Sequence, residues 1–259
     1  MPNLPRPLLG FDATAFLAAL VLATVASSDE AGAQALDIDD TGMTKGQWEI
    51  KAVNLVNAGF PRGTVGASRS SHEQLVGYGF TDRFKAALHA DFEGIVRDGL
   101  RPDHVALETQ VALLDAETGG VGLDWFTSVQ AVTHEDATNS LFFGPIVRLQ
   151  QGKLSATFNP YFERTFGQNS TPGINLNYGW RVMRELEGGY AIALEGYGRI
   201  PDLANAPDLA EQDHRLGGAL YKTIEVSKGS ELAITLGALA GLTRDTPDVS
   251  TRLAVGLTF

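Results

Sequence analysis

From Gly46 to the carboxy terminus the chain alternates apolar and polar residues with a period of two, and it shows almost no helical spacing. That rhythm commits it to strands with two unlike faces. The last segment is the clearest, with Leu253, Val255, Leu257 and Phe259 on one side and Arg252, Ala254, Gly256 and Thr258 on the other. Leu232, Ile234, Leu236 and Ala238 repeat the pattern against Glu231, Ala233, Thr235 and Gly237, and Leu176, Tyr178, Trp180 and Val182 repeat it against Asn175, Asn177, Gly179 and Arg181. The alternation predicts strands at about 47–57, 72–80, 84–97, 104–114, 121–133, 139–151, 153–166, 173–186, 189–200, 214–226, 231–242 and 249–259. Most have roughly the 9 to 11 residues that a tilted membrane strand needs.

An even number of antiparallel strands returns both termini to the same side, as a closed barrel requires. The predicted links alternate in length. Long ones run 58–71, 98–103, 134–138, 167–172, 201–213 and 243–248, and short ones 81–83, 115–120, 152, 187–188 and 227–230. All long links then fall on one side and all short turns on the other, the asymmetry of a barrel with periplasmic turns and extracellular loops. The expected fold is all-β, a closed antiparallel transmembrane β-barrel of about twelve strands.

Alternation alone does not say which face is inside, because a soluble barrel inverts the same pattern. The faces opposite the apolar rows carry interleaved charges, and these are assigned to the lumen: Glu49, Lys51, Lys85, His89, Asp91, Glu93, Glu108, Asp124, Arg148, Glu163, Arg181, Glu195, Arg199, Arg215, Glu225 and Arg252. Acids and bases nearly balance in this set, so the side chains are expected to pair across a modest bore and narrow it. Aromatic residues suggest two interfacial girdles, with Trp48, Phe80, Phe84, Tyr190 and Phe259 near the short turns and Phe60, Phe92, Phe142, Phe143 and Phe166 nearer the long loops.

The amino terminus supports an exported barrel. Phe16 to Ala26 is an apolar run too short to span a bilayer, followed by small residues with Ala31-Gly32-Ala33 and Ala33-Gln34-Ala35. This is the layout of a secretory signal peptide over 1–35, cleaved near Ala33 or Ala35, with the barrel occupying 36–259. The chain has 259 residues, no cysteine, and 31 acidic against 20 basic residues with no basic run. Nucleic acid is therefore not an expected partner.

The terminal strand ending in Phe259 resembles the carboxy-terminal assembly signal of bacterial outer-membrane proteins, which implies the barrel assembly machinery as a partner. Val76-Gly77-Tyr78-Gly79-Phe80-Thr81-Asp82-Arg83-Phe84 resembles the strand, Thr-Asp turn and strand of the outer-membrane channels grouped as the phenol-degradation MetA-pathway family. That resemblance implies a barrel of this size and passage of small hydrophobic or aromatic compounds.

Residues for chemistry are sparse. The five histidines, at 72, 89, 104, 134 and 214, are scattered singly, and no metal or cofactor is expected. His89, Asp91 and Glu93 share a face and offer a cation site, against the simpler reading that they pair with neighbouring lumen groups. A lipid-hydrolysing barrel would place Ser beside His on one strand face. The nearest fragment, Thr133 to Asp136 with Asn139 and Ser140, does not, so an enzyme is not expected. The expected function is a porin-like outer-membrane channel for passive passage of a small solute. The alternative is a structural protein whose loops, above all 60–71 and 201–213, bind something outside.

Overall fold

The computed structural model describes residues 36–42, 44–59, 69–96, 99–115, 120–133 and 138–259. The signal peptide region lies outside these residues, as do Phe60 and most of the first long loop. Twelve strands follow in chain order: β1 Trp48–Ala58, β2 Arg69–Thr81, β3 Phe84–Ile95, β4 Gly99–Leu114, β5 Val121–Val132, β6 Asn139–Gln151, β7 Leu154–Phe166, β8 Asn175–Glu185, β9 Tyr190–Ile200, β10 Asp213–Ser227, β11 Ser230–Gly241 and β12 Val249–Thr258. Each pairs antiparallel with its neighbours in sequence, and β1 pairs with β12, from Glu49↔Thr258 to Ala58↔Val249, to close the barrel. Closure leaves no unpaired edge. The last residue takes part in it: the Trp48 amide donates to the Phe259 carbonyl at 2.7 Å and the Phe259 amide returns the bond at 3.0 Å.

The charges point inward. Arg252 and Glu195 have side chains only 1% exposed, whereas Leu88 is 67% and Leu236 54% exposed on the outer face. A belt of exposed Leu, Val, Ile, Phe and Trp around a charged interior is inside-out for a soluble barrel. It suits a bilayer. Outside, at the short-turn edge, Trp48, Tyr78, Phe80 and Phe84 form a continuous aromatic row with successive ring centroids 4.8, 4.9 and 5.8 Å apart. Farther up, Trp180 and Tyr178 lie over Gly196 and Gly198 of β9, where a Cβ would collide with the rings. Aromatic cover here fills the space glycine leaves and satisfies the sheet surface.

A charge on this belt is expensive. Leu236→Arg, in the middle of β11, is expected to lower folding stability in lipid by about 2 to 4 kcal/mol. Denaturant titration of refolded protein in vesicles measures it, and an unchanged midpoint would contradict the lipid-facing assignment.

Two sequence expectations need correction. β4 starts at Gly99, so residues 99–103 of the link expected over 98–103 belong to the strand, and Pro102 sits inside it. A β-bulge opposite Asp91 and Phe92 accommodates it, because proline is tolerated where the ladder is already broken. Phe142 belongs to no outer girdle: it is buried in the lumen with Phe126, Ile146 and Tyr161. The segment Leu36 to Gly42, within the span assigned to the barrel, runs inside it.

Candidate functional site

A short peptide, Leu36-Asp37-Ile38-Asp39-Asp40-Thr41-Gly42, crosses the lumen before the chain turns into β1. Its apolar residues are Leu36 and Ile38, both buried against Leu55, Tyr197 and Leu239. Its carboxylates meet lumen cations. Asp37 pairs with Lys51, and Asp40 pairs with Arg181 and lies 3.7 Å from Arg148. Neutral donors complete the fit: Tyr161 Oη donates to Asp39 at 2.8 Å and Thr157 Oγ1 to Asp40 at 3.0 Å. Gln110 donates to the Asp40 carbonyl at 2.9 Å, Asn159 to the Asp39 carbonyl at 3.1 Å, and the Gly42 amide donates to Asp124 at 3.1 Å. Strands β1, β4, β5, β6, β7, β8, β9, β11 and β12 all contribute, so the strap is bound around most of the circumference.

The strap's backbone is secured from β12. Arg252 Nη1 donates to the Leu36 carbonyl and to Tyr197 Oη, and its Nη2 donates to both carboxylate oxygens of Glu195 at 3.0 and 2.8 Å. Glu195 also accepts from Tyr197 at 3.0 Å and from Tyr221. On the long-loop side of the strap, Glu163 accepts from Arg199 at 3.1 Å, Asn175 at 3.1 Å, Asn177 at 3.0 Å and Ser140 at 3.2 Å. Arg215 donates to Asp213 at 2.6 Å and to Asn57 and Ser250 at 2.9 Å each. On the short-turn side the wall opens into a cavity of about 610 Å³ lined by strap residues and by Glu49, Lys85, Arg181 and Tyr221 among others. Lys85 and Glu49 pair there at 2.9 Å.

The remaining sequence-assigned residues divide. His89, Asp91 and Glu108 lie together on β3 and β4, with Glu93 higher on the same face of β3. Arg148 donates to Gln150 at 2.9 Å besides facing the strap. Glu225 is exposed beside the β10–β11 turn, at the rim and away from the narrow part of the bore. Reading from sequence missed Glu73, His104, Tyr161, Tyr197 and Tyr221 as lumen groups, and the strap itself. The strap's Leu-Asp-Ile-Asp alternation is a visible signal of a segment with one apolar and one acidic face.

An apolar patch of the lumen, Phe126, Phe142, Ile146 and Tyr161, sits beside a flaw in the wall. The β6–β7 ladder pairs Phe143 with Phe162 and resumes at Val147 with Phe158. Between them Pro145 and Pro160 stand in the two strands, each lacking the N–H that a ladder bond requires. Of the fragment Thr133 to Asp136 with Asn139 and Ser140, weighed for nucleophilic chemistry, His134 to Asp136 lie outside the described residues, and the Ser140 hydroxyl is committed to Glu163.

No protein-family model matches the chain, and no curated protein matches it. Among solved structures it is similar to the COG4313 outer membrane channel from Pseudomonas putida F1, at 12% identity and a TM-score of 0.58, over 86% of this chain and 99% of that one. It is also similar to the NanC porin, at 11% identity and a TM-score of 0.51, over 82% of this chain and 98% of the other. At such identities the likeness establishes the barrel architecture.

Proposed function

We propose that this chain is an outer-membrane channel for passive passage of a small solute, with residues 36–42 as an occluding strap. The observation that carries the reading is a charged lumen inside an apolar exterior, leading from a cavity of about 610 Å³ to a peptide seated on the lumen's own cations. A barrel serving only as an anchor gains nothing from a water-accessible vestibule. Selectivity in such a pore comes from the charges and constrictions lining it. Membrane lipid around the belt, and the assembly machinery engaging the terminal strand at Phe259, complete the proposed set of partners.

The solute class implied by the sequence resemblance, small hydrophobic or aromatic compounds, is favoured by the Phe126, Phe142, Ile146 and Tyr161 patch beside the interrupted β6–β7 ladder. Aromatic side chains at that point add apolar wall to a bore otherwise rich in charge, besides the smaller apolar seat of the strap.

Single-channel recording in planar bilayers tests the channel reading, using protein exported and processed by cells and checked for heat-modifiable migration as evidence of a formed barrel. Discrete ion-selective steps, interrupted by an added aromatic solute, are the expected result. A heat-modifiable barrel that stays silent would instead favour a loop-binding or anchoring protein.

A further inference from the structure

On the lumen wall formed by β2, β3 and β4, donor atoms converge that the strap does not use. Asp91 on β3 lies directly opposite His104 on β4 and Glu73 on β2, and His89 precedes Asp91 by two residues on the same strand face. The Asp91 carboxylate lies 3.0 Å from His89 Nε2 through Oδ1 and 2.7 Å from His104 Nε2 through Oδ2. Glu73 Oε2 is 3.7 Å from the same His89 nitrogen. The side chains of His89, Asp91 and Glu73 are less than a tenth exposed, and that of His104 is 12% exposed.

Two features distinguish this cluster from ordinary ion pairing. Each ring nitrogen on the far side already has a carboxylate: His89 Nδ1 lies 3.1 Å from Glu108 Oε1, and His104 Nδ1 lies 2.8 Å from Asp103 Oδ2. Carboxylates in that position hold imidazoles in the tautomer whose Nε2 lone pair is free, as in carboxylate–histidine–metal arrangements. Second, His89 Nε2, His104 Nε2 and Asp91 Oδ1 are buried and, despite their proximity, make no well-aligned hydrogen bond. Two protonated imidazoles sharing Asp91 would aim their N–H groups at its oxygens. The Nε2 atoms instead converge side by side, and the His89, Asp91 and His104 ligand atoms all lie within 4.8 Å of one another.

We propose that His89, Asp91 and His104, with Glu73 as a fourth donor, bind one divalent first-row transition ion. Two imidazoles and one or two carboxylates match the donor preference of Zn²⁺, Ni²⁺ or Cu²⁺, whereas Mg²⁺ and Ca²⁺ favour all-oxygen shells. Tetrahedral Zn²⁺ with bonds of about 2.0 to 2.1 Å needs ligand edges of roughly 3.3 Å, somewhat longer than the 3.0 and 2.7 Å that separate Asp91 from the two imidazoles. The ion would join three neighbouring strands on the long-loop half of the barrel, independently of whether solute passes.

The test uses the processed full barrel in detergent, stripped with chelator, confirmed heat-modifiable, and titrated with Zn²⁺ alone while retained metal is counted by elemental analysis. One ion per barrel, undiminished by excess Mg²⁺ or Ca²⁺, is expected, and Co²⁺ in place of Zn²⁺ should give the visible absorption of a low-coordinate nitrogen–oxygen site. His89→Gln and His104→Gln should each weaken binding at least tenfold, and Glu108→Gln, acting through His89, by about 10- to 100-fold. His214→Gln, on the outer face, should change nothing. Binding should fade as pH drops and the imidazoles protonate. A heat-modifiable wild-type barrel that retains no stoichiometric Zn²⁺ overturns the proposal, whatever the variants do, and so does binding that survives His89→Gln with His104→Gln.

Discussion

Neutralising the strap, with Asp37→Asn, Asp39→Asn and Asp40→Asn combined, is expected to raise single-channel conductance and to shift ion selectivity toward anions. Asp37 faces Lys51, Asp40 faces Arg181 and Arg148, and Asp39 accepts from Tyr161, so the triple variant removes the strap's charge contacts while retaining its size. Partly exposed pairs of this kind contribute about 1 kcal/mol each. A loss of roughly 3 kcal/mol moves the balance between seated and released strap about a hundredfold. What then holds the peptide is the packing of Leu36 and Ile38 on Leu55, Tyr197 and Leu239, with the backbone hydrogen bonds to Arg252, Gln110, Asn159 and Asp124.

The selectivity shift has a separate origin. With three carboxylates gone, Lys51, Arg148 and Arg181 face the bore without their partners, and reversal potentials in a salt gradient should move toward the anion value. Raising ionic strength should also loosen the strap of the wild-type protein, because screening weakens those pairs, but with the carboxylates still present its reversal potential should move toward zero. Conductance and reversal potential both unchanged in a correctly formed barrel would mean that the strap does not control the path.

How much of this was legible follows from what period-two patterning encodes. It records which residues share a face, so strands such as β6, β11 and β12 and their inward Arg148 and Arg252 stand out in the sequence. It also implies more than was drawn from it. If Arg148 faces inward, parity along β6 places Phe142 and Ile146 inward too, and Phe142 is indeed in the lumen. Patterning is silent where the ladder is irregular: Pro102 and Asp103 read as a loop, but a bulge carries the strand through them and brings His104 opposite Asp91. It is equally silent on contacts distant in sequence, such as Asp40 with Arg181, which only closure of the barrel brings together. Glu225 shows the complementary limit, since parity fixes a face without fixing depth.

The second large effect concerns Arg252, which is expected to be far less replaceable than its position in a terminal strand suggests. Its guanidinium and the Glu195 carboxylate are each 1% exposed and joined through Nη2, which donates to both carboxylate oxygens, with Tyr197 and Tyr221 also donating to Glu195. Arg252→Ala leaves that carboxylate buried without its cation and frees the Leu36 carbonyl, while Glu195→Ala leaves the guanidinium with Tyr197, Tyr221 and the Leu36 carbonyl but without its hydrogen-bonded carboxylate. Each single change should destabilise the barrel by about 3 to 5 kcal/mol, the usual cost of stranding one member of a buried pair. Removing both charges together should cost much less than the sum, because apolar replacement of an entire buried pair is often close to neutral. Arg252→Met with Glu195→Met, measured by urea unfolding beside the two single changes, is therefore expected to recover most of the lost stability. The double variant should also release the strap at Leu36 and so gain conductance even as stability returns. Additive losses in the double variant would show that the two groups act separately, and that the pair is not what fixes the strap to the wall.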